Sequence, residues 1–392
     1  MKECVFIDGV RTPNGRAHAE KGWFRNLRPD DLLGEVYKAL FARNPKVAPE
    51  DVDALFVGCA NPSGMQNDIG RLAWLAHGYP ESVASNTITN QCPSGMAATI
   101  HAARAIMTGE ADIMIAAGAE DMQKVPMAAN MDFPPQLFNR YNPMEIPMGS
   151  TAEKVAETYK VAREDMDNMA IWSHKKASEA RNAGKFKGEI VPVMGVDDEG
   201  KEFLVDRDQW VRDKMDPEKM ASMQSPFKPG GVVTAATSSP LTQGACALLM
   251  MSREKADELG LSYSYRYKMG SFGACDPTLM GIGPIVAVNK IFEKTGLKGE
   301  DMAAVELNEA FASQALACIR ELKLDKDNAP FDRVNLWGGA LALGHPLGES
   351  GARIIITLLN VLKNEKPEGK YGLASLCGGF GNTAAILVEK VD

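Results

Sequence analysis

The feature that most constrains the fold is an alternation of short apolar runs with helical stretches. Near the start of the chain, apolar runs at residues 4–7 and 54–57 alternate with helical patterns at 32–42 and 69–76. This alternation is typical of an α/β unit with a buried sheet. The same alternation returns from about residue 271 to the end of the chain, where it includes a predicted strand at 333–336. The sequence therefore favours two like α/β domains that meet face to face.

The middle of the chain has a different composition. Residues 119–150 contain five Pro and five Met. So much proline argues against a regular helix or strand, and Met side chains adapt to irregular gaps. We therefore expect an irregular segment that packs over one face of the molecule. A capping-box pattern predicts a helix that begins at Ser150, and a second helix is predicted from about 164 to 180.

Composition and charge exclude several classes of protein. The 392 residues carry 43 basic and 51 acidic side chains, and the net charge of −8 argues against a nucleic-acid-binding protein that works through an overall positive field. Seven Cys without a C-x-x-C pair predict neither a disulfide framework nor a metal site. No apolar run approaches the ~18 residues of a membrane span, and the first residues lack a signal-peptide pattern. We expect a cytoplasmic protein with reduced thiols.

Cys92 is the sharpest candidate for a nucleophile. It precedes a predicted helix from about 93 to 108, in which Pro93 suits the first helical position and Gly109 the C-terminal cap. Cys92 would then be the N-cap, where the helix N–H groups and dipole favour a thiolate and lower the thiol pKa from ~8.5 towards ~7. A small buried core cysteine is the alternative that these residues leave open.

Three other segments carry candidate catalytic groups. His345 lies among five Gly in residues 338–351, which predicts a loop that holds the imidazole as a base for a Cys nucleophile. Neither glycine pattern of the nucleotide-binding loops is present there. Cys377 and Gly379 lie at a strand-to-glycine turn, which can form an oxyanion hole or be an ordinary structural turn. Asn308 precedes a predicted helix and by itself is typical of a helix cap.

Taken together, four segments resemble the four signatures of the thiolases in order and spacing. They are Asn90-Gln91-Cys92-Pro93-Ser94-Gly95, Asn308-Glu309-Ala310-Phe311-Ala312, Gly344-His345-Pro346-Leu347-Gly348 with Ser350-Gly351-Ala352-Arg353, and Cys377-Gly378-Gly379. The resemblance spans essentially the whole chain and is closest to the degradative 3-ketoacyl-CoA thiolases of fatty-acid β-oxidation.

This resemblance implies the thiolase fold, an α/β fold of two similar βαβαβαββ domains in a five-layered αβαβα arrangement with an inserted loop domain. The N-terminal domain would comprise residues 1–118 plus about 249–270, the loop domain 119–248, and the C-terminal domain 271–392. The loop domain would cover the active site and bind CoA.

The resemblance also implies a reaction, the cleavage of a 3-ketoacyl-CoA by CoA to acetyl-CoA and a shortened acyl-CoA. Cys92 would carry the acyl group, His345 would take the thiol proton, and Cys377 would act as an acid and then as a base. Asn308 and His345 would hold the enolate oxygen of the acetyl thioester, partly through a water. The amides of Cys92 and Gly379 would hold the keto oxygen.

CoA would be a co-substrate, and no tightly bound cofactor is implied. Ser239, Phe311 and Met148 match family positions that meet its pantetheine arm. The chain departs from the usual family pattern at Pro93, at Gln243, at residues 223–226, which lack a basic residue, and at Phe380. These departures bear on substrate and CoA affinity more than on the class of reaction.

Several alternatives stay open at this point. An acetoacetyl-CoA thiolase (acetyl-CoA acetyltransferase) working in the condensing direction is one, although Ile146-Pro147 replaces the His that the biosynthetic enzymes usually show before Met148. A ketoacyl synthase shares the fold but lacks a Cys at the place of Cys377. A catalytically silent scaffold is disfavoured because all four reactive positions are filled. The resemblance also implies a homodimer or tetramer and allows a hydratase–dehydrogenase partner subunit.

Overall fold

The computed structural model describes residues 1–325 and 332–391. The strands in these ranges are β1 (Cys4–Arg11), β2 (Gly15–Arg16), β3 (Ala54–Gly58), β4 (Ala84–Ile88), β5 (Ile113–Asp121), β6 (Val193–Val196), β7 (Glu202–Val205), β8 (Thr242–Ser252), β9 (Tyr265–Ala274), β10 (Met302–Leu307), β11 (Tyr371–Cys377) and β12 (Asn382–Lys390). The helices are α1 (Pro29–Arg43), α2 (Ile69–Ala76), α3 (Ser94–Thr108), α4 (Met148–Thr158), α5 (Arg163–Asn182), α6 (Pro217–Ala221), α7 (Arg253–Glu258), α8 (Gly283–Thr295), α9 (Ala312–Glu321), α10 (Ala340–Leu343) and α11 (Leu347–Glu365).

The two halves of the chain repeat one sheet topology. The first half has the strand order β4-β3-β5-β8-β1, and the second has β10-β11-β12-β9. In each half a parallel pair, β3 with β5 or β10 with β11, is followed by two antiparallel pairings. Among the described residues, β1 and β9 join the halves through the pair Val5 and Arg266. The prediction of two like α/β halves is confirmed.

A strand expected at residues 333–336, which would be the counterpart of β4, is reduced to a bridge between Val334 and Val305. The reason is local, because Asn335 has a left-handed backbone with φ +47, which interrupts the extended chain.

Helices and sheets form five layers. Helices α1 and α2 pack on the outer face of the first sheet, and α8 and α9 pack on the outer side of the second half. Helices α3 and α11 lie between the sheets, where they contact strands of both halves. The central strands β5 and β8 are buried along their whole length, which explains why their sequences are almost continuously apolar.

The two central helices contact each other through glycine. A Cβ atom at Gly351 would lie 2.4 Å from the backbone nitrogen of Met96, and one at Gly95 would lie 2.7 Å from the carbonyl oxygen of Gly348. These glycines therefore allow the starts of α3 and α11 to pack backbone to backbone. As a result, the turns that precede the two helices lie side by side.

The segment between β5 and β8 packs over both halves. A buried ion pair ties it to β1, because Arg11 contacts Asp208 at 2.7 Å and Glu189 at 2.7 Å. Helix α4 packs on α9. The prediction that this helix begins at Ser150 is wrong, because Pro147 is its N-cap and the helix begins at Met148. A proline suits this position, where no N–H is needed.

None of the helices in residues 1–325 and 332–391 is long and apolar enough to cross a membrane. The described residues also contain no group of three or more His, Cys, Asp or Glu that could hold a metal ion. All seven cysteines carry free thiols.

Candidate active site

One large cavity opens where the two halves and the intervening segment meet. Its volume is about 1000 Å³. The predicted site residues that line it are Cys92, His345, Cys377, Gly379, Ser239, Phe311 and Met148. Asn308 is the exception, and it reaches the site through contact with His345. The fold thus brings together all the candidates that the sequence scatters along the chain.

Cys92 lies in a tight turn between β4 and α3. Gln91 has a left-handed backbone with φ +55, and its carbonyl accepts hydrogen bonds from N and Oγ of Ser94 at 3.0 and 2.5 Å. The expectation that Cys92 is the N-cap is wrong by one residue, because Pro93 is the N-cap and its carbonyl accepts the first helical hydrogen bond, from Ala97. The expected C-terminal cap of α3 at residue 109 is confirmed.

The resting state of Cys92 differs from the expected thiolate. Its side chain is 3% exposed, and burial raises its pKa to about 12, although backbone N–H groups of Gly379 and of Cys92 itself favour the anion. The expected lowering towards ~7 is wrong, because removing water from a thiolate outweighs the stabilisation by nearby N–H groups. Cys92 is therefore a neutral thiol at rest and needs a base to become a nucleophile.

His345 is held in the loop between α10 and α11. Its backbone N–H donates to Oγ1 of Thr242 at 2.8 Å, and its ring Nδ1 lies 2.6 Å from Oγ of Ser350. The Ser350 hydroxyl donates to the carbonyl of Pro346 at 2.8 Å, so it accepts from Nδ1–H and leaves Nε2 unprotonated, with Nδ2 of Asn308 at 3.4 Å as a weak donor to it. Burial lowers the His345 pKa to about 3, and the charge of Arg353 acts in the same direction. The imidazole is thus neutral and able to accept a proton.

Asn308 follows β10 and faces the imidazole of His345. Its Nδ2 lies 3.4 Å from Nε2 and 3.5 Å from Nδ1 of that ring. The side-chain Oδ1 is buried and has no hydrogen-bond partner among the described residues. The reading of Asn308 as a helix cap is wrong, because Phe311 is the N-cap of α9. Because Nδ2 makes only these long contacts among the described residues, its N–H groups are available to an acceptor on a ligand.

Cys377 reaches the cavity from the second half. It ends β11, and a Cβ atom on the following Gly378 would lie 2.3 Å from Cδ of Pro93, so glycine allows this turn to approach the turn of Cys92. Burial raises the pKa of the Cys377 thiol well above its ordinary value, and the neighbouring Cys92 adds to this effect. Because the Gly379 N–H also reaches the Cys92 sulfur, one turn supplies a second thiol and a hydrogen-bond donor.

Glu120 anchors the C-terminal end of the His345 loop. It is fully buried at the end of β5, and its Oε2 accepts from the N–H of Gly348 at 2.9 Å and of Ala60 at 2.7 Å. Its Oε1 accepts from Nε2 of Gln66 at 2.7 Å. No motif in the sequence points to this residue. The one available signal is a polar pair at the end of an otherwise apolar buried run.

A second buried carboxylate holds the other end of the same loop. Glu309 accepts from the N–H of Leu341 at 3.2 Å, from Nδ2 of Asn335 at 2.8 Å and from Oγ of Ser173 at 2.7 Å. Burial raises its pKa, and these donors oppose that effect. The His345 loop is therefore fixed at both ends, and its imidazole has little freedom to move away from Cys92.

The three residues matched to the pantetheine arm share one side of the cavity. The N–H of Ser239 donates to the carbonyl of Ala310 at 3.0 Å, which places it next to Phe311. The Phe311 ring lies 6.0 Å from that of Phe227, in an edge-to-face arrangement. Met148 is the first residue of α4. His18, which no sequence motif marked, also lines the cavity.

A neutral thiol, a neutral imidazole and a second thiol around one deep cavity define an enzyme that transfers acyl groups through cysteine. Comparison with known proteins narrows this class. Residues 4–254 match the family model described as "Thiolase, N-terminal domain", and residues 263–390 match "Thiolase, C-terminal domain". The chain belongs to the thiolase family.

Individual relatives agree with this membership. The chain is similar to a 3-ketoacyl-CoA thiolase of Vibrio vulnificus, with 41% identity over 392 residues and full coverage of both chains. It is 40% identical over 392 residues to a 3-ketoacyl-CoA thiolase of Marinobacter nauticus, covering 100% of this chain and 99% of that one. The crystal structure of an acetyl-CoA acetyltransferase of Bacillus anthracis matches with a TM-score of 0.89 and 34% identity, covering 100% and 99% of the two chains.

Proposed function

We propose that this enzyme cleaves 3-ketoacyl-CoA with CoA, giving acetyl-CoA and an acyl-CoA shortened by two carbons, through an acyl group carried on Cys92. The observation that supports this most strongly is the convergence of Cys92, His345 and Cys377 on one cavity, with the amide of Asn308 against the imidazole. The names of the Vibrio and Marinobacter relatives favour the same reaction.

The first half-reaction begins with a proton transfer. The proton of the Cys92 thiol passes to Nε2 of His345 while the sulfur attacks the keto carbon. Because burial raises the pKa of Cys92 and lowers that of His345, the proton stays on sulfur until a substrate is bound. The negative charge that develops on the keto oxygen, held by the amides of Cys92 and Gly379, stabilises the imidazolium and makes the transfer feasible.

Collapse of this adduct breaks the bond between C2 and C3. The bonding electron pair moves into the thioester carbonyl, and the resulting enolate oxygen accepts hydrogen bonds from the Asn308 amide and the protonated His345. Cys377 then gives its proton to C2, which releases acetyl-CoA and leaves a Cys377 thiolate. The shortened acyl group remains on Cys92.

The second half-reaction restores every group. The thiol of incoming CoA gives its proton to the Cys377 thiolate and attacks the acyl carbonyl on Cys92. The Cys92 sulfur leaves and recovers its proton from His345. Since no step consumes a cofactor, the cycle closes with the protein unchanged, in ping-pong order.

The test is mass spectrometry of the protein mixed with a 3-ketoacyl-CoA without free CoA. We expect one acyl adduct per chain, located on the peptide that contains Cys92, together with stoichiometric release of acetyl-CoA. A Cys92→Ser variant is the matched control and should carry no adduct. Turnover with CoA present but no adduct in its absence would contradict the mechanism. Turnover confined to acetoacetyl-CoA would favour the acetyl-CoA acetyltransferase alternative.

The surroundings of the site support further proposals. We propose that Ser239, Phe311 and Met148 contact the pantetheine arm of CoA and that the segment between β5 and β8 acts as the loop domain that covers the site. A reducing compartment such as the cytoplasm is proposed because Cys92 and Cys377 must remain thiols. A homodimer or tetramer and a hydratase–dehydrogenase partner subunit remain proposals that rest on the family resemblance.

A further inference from the structure

An aromatic cluster borders the active-site cavity and takes no part in the proposed chemistry. We use this name for Phe133, Phe138 and Phe380. The first two come from the segment between β5 and α4, and Phe380 comes from the turn after β11. The Phe133 ring lies 5.8 Å from the Phe380 ring and 6.0 Å from the Phe138 ring. All three rings line the cavity that contains Cys92.

The wall around this cluster is apolar. Met122, Met127 and Met131 line the same cavity, and they come from the same segment as Phe133 and Phe138. None of the described residues that this segment contributes to the lining is charged. Phe133 is 36% exposed and Phe138 is 41% exposed. An apolar ligand would remove this surface from water, which favours its binding.

The position of Phe380 relates the cluster to the reacting carbon. In the proposed mechanism, the amides of Cys92 and Gly379 hold the keto oxygen, so the carbonyl carbon lies beside Gly379. Phe380 is the next residue in the chain. Because the Phe380 ring lines the same cavity as Cys92, it is accessible to the substrate carbons beyond this carbonyl. The residues matched to pantetheine lie on other segments, those of α4 and of the stretches before β8 and α9.

The backbone of Phe380 is also unusual. Its φ of +62° and ψ of 20° place a bulky residue in the left-handed region, which glycine adopts more easily. The resemblance places a more usual glycine-rich continuation at this point of the family pattern. A disfavoured conformation that the surrounding structure maintains beside reacting atoms is a reason to look for a function of the side chain.

We propose that the aromatic cluster binds the acyl chain beyond C4 and makes the enzyme select 3-ketoacyl-CoA substrates with longer apolar tails over acetoacetyl-CoA. This inference rests on the proposed function and names its substrate class. Phe380 is the specificity-determining residue nearest the reacting carbon, and Phe133 joins it to Phe138.

The experiment compares kcat/KM for 3-ketodecanoyl-CoA and acetoacetyl-CoA in the unmodified enzyme and in Phe380→Gly. Glycine tolerates the positive φ, so the variant should fold. Loss of one ring contact should lower the ratio of the two kcat/KM values about 3- to 10-fold. Phe133→Ala should lower it in the same direction. Phe227→Ala, which removes an aromatic ring near Phe311 on the proposed pantetheine side, is the matched control and should lower both values by one common factor.

The outcomes separate this inference from the proposed function. No thiolysis of either substrate by the unmodified enzyme would overturn the proposed function itself. The Phe380→Gly and Phe133→Ala variants could instead cleave both substrates with an unchanged ratio of kcat/KM values, including equal losses on both. That result would overturn the role of the aromatic cluster but not the proposed thiolase reaction. An unmodified enzyme that prefers acetoacetyl-CoA would likewise overturn it.

Discussion

Replacing Asn308 by Ala should separate carbon–carbon bond cleavage from acyl transfer. Among the described residues, the Asn308 side chain makes only two long contacts, from Nδ2 to Nε2 of His345 at 3.4 Å and to Nδ1 of the same ring at 3.5 Å, and its Oδ1 has no hydrogen-bond partner. The backbone N–H, which donates to the Ser375 carbonyl at 3.0 Å, is kept in the variant. The fold therefore depends little on this amide, whereas the proposed enolate depends on it.

The expected magnitude follows from these contacts. Losing one preorganised donor to an oxyanion costs about 2.7–4 kcal/mol in the transition state, which slows kcat by about 10²–10³-fold. The side chain gives up no short hydrogen bond of the resting protein, so the free energy of unfolding should change by about 1 kcal/mol or less. A large loss of rate with little loss of stability is the expected signature.

Two rates measured on one preparation provide the assay. The first is thiolysis of a 3-ketoacyl-CoA, and the second is exchange of labelled CoA into a saturated acyl-CoA. In the proposed mechanism, exchange uses Cys92 and the Gly379 amide but forms no enolate. We expect thiolysis to fall about 10²–10³-fold and exchange to fall less than about 10-fold. Asn308→Asp has the same shape but no donor, so it should be at least as slow as Asn308→Ala in thiolysis.

Two results would refute this reasoning. Equal losses of thiolysis and exchange would mean that Asn308 acts by positioning His345, which serves both reactions. Thiolysis slowed by less than about 10-fold would mean that Asn308 does not hold the enolate oxygen. Thermal melting of each variant shows whether a loss of rate comes from unfolding.

Three further predictions concern the other groups of the site. Cys377→Ala should leave Cys92 open to alkylation but lower thiolysis by about 10²-fold or more, because C2 loses its proton donor; mass spectrometry measures the alkylation, formation of acetyl-CoA measures the thiolysis, and unchanged turnover would contradict the role. Because His345 has a pKa lowered to about 3, acidification through ~6.5 leaves the base neutral, so kcat/KM should stay level there; an acid limb at ~6.5 would contradict this reasoning. Glu120→Gln turns an NH₂ group towards buried N–H donors, so denaturant unfolding should show that the free energy of unfolding falls by about 2–6 kcal/mol. A fall of less than about 1 kcal/mol would mean that the carboxylate is not needed to hold the His345 loop.

Local elements were largely predictable because their signals lie within a few residues. Helix α2 begins and ends where its apolar pattern predicts, and Gly109 caps α3 as expected. Errors occurred where one residue changed the backbone locally. Pro147 starts α4 earlier than the capping box at Ser150 indicates, and Asn335, with its positive φ, interrupts the predicted strand at 333–336.

The candidate residues that meet at the cavity were predictable, whereas their electrostatics were not. The signatures marked Cys92 and His345, both of which line the cavity. The helix start after Cys92 indicated a lowered thiol pKa, whereas burial raises it. Desolvation depends on which distant segments exclude water, and no local pattern reports that. For the same reason no motif marked Glu120, whose donors come from two remote turns.

The sequence by itself determined the candidate reacting groups and the turns that carry them, because a thiol before a Pro-capped helix and an imidazole between glycines are properties of neighbouring residues. Only the tertiary structure decided that Cys92 and Cys377 face one cavity, that both thiols and His345 are neutral at rest, and that an aromatic cluster borders the same cavity. These three features depend on contacts between segments far apart in the chain. Such contacts exclude water, and the loss of water sets the energy of each charged group.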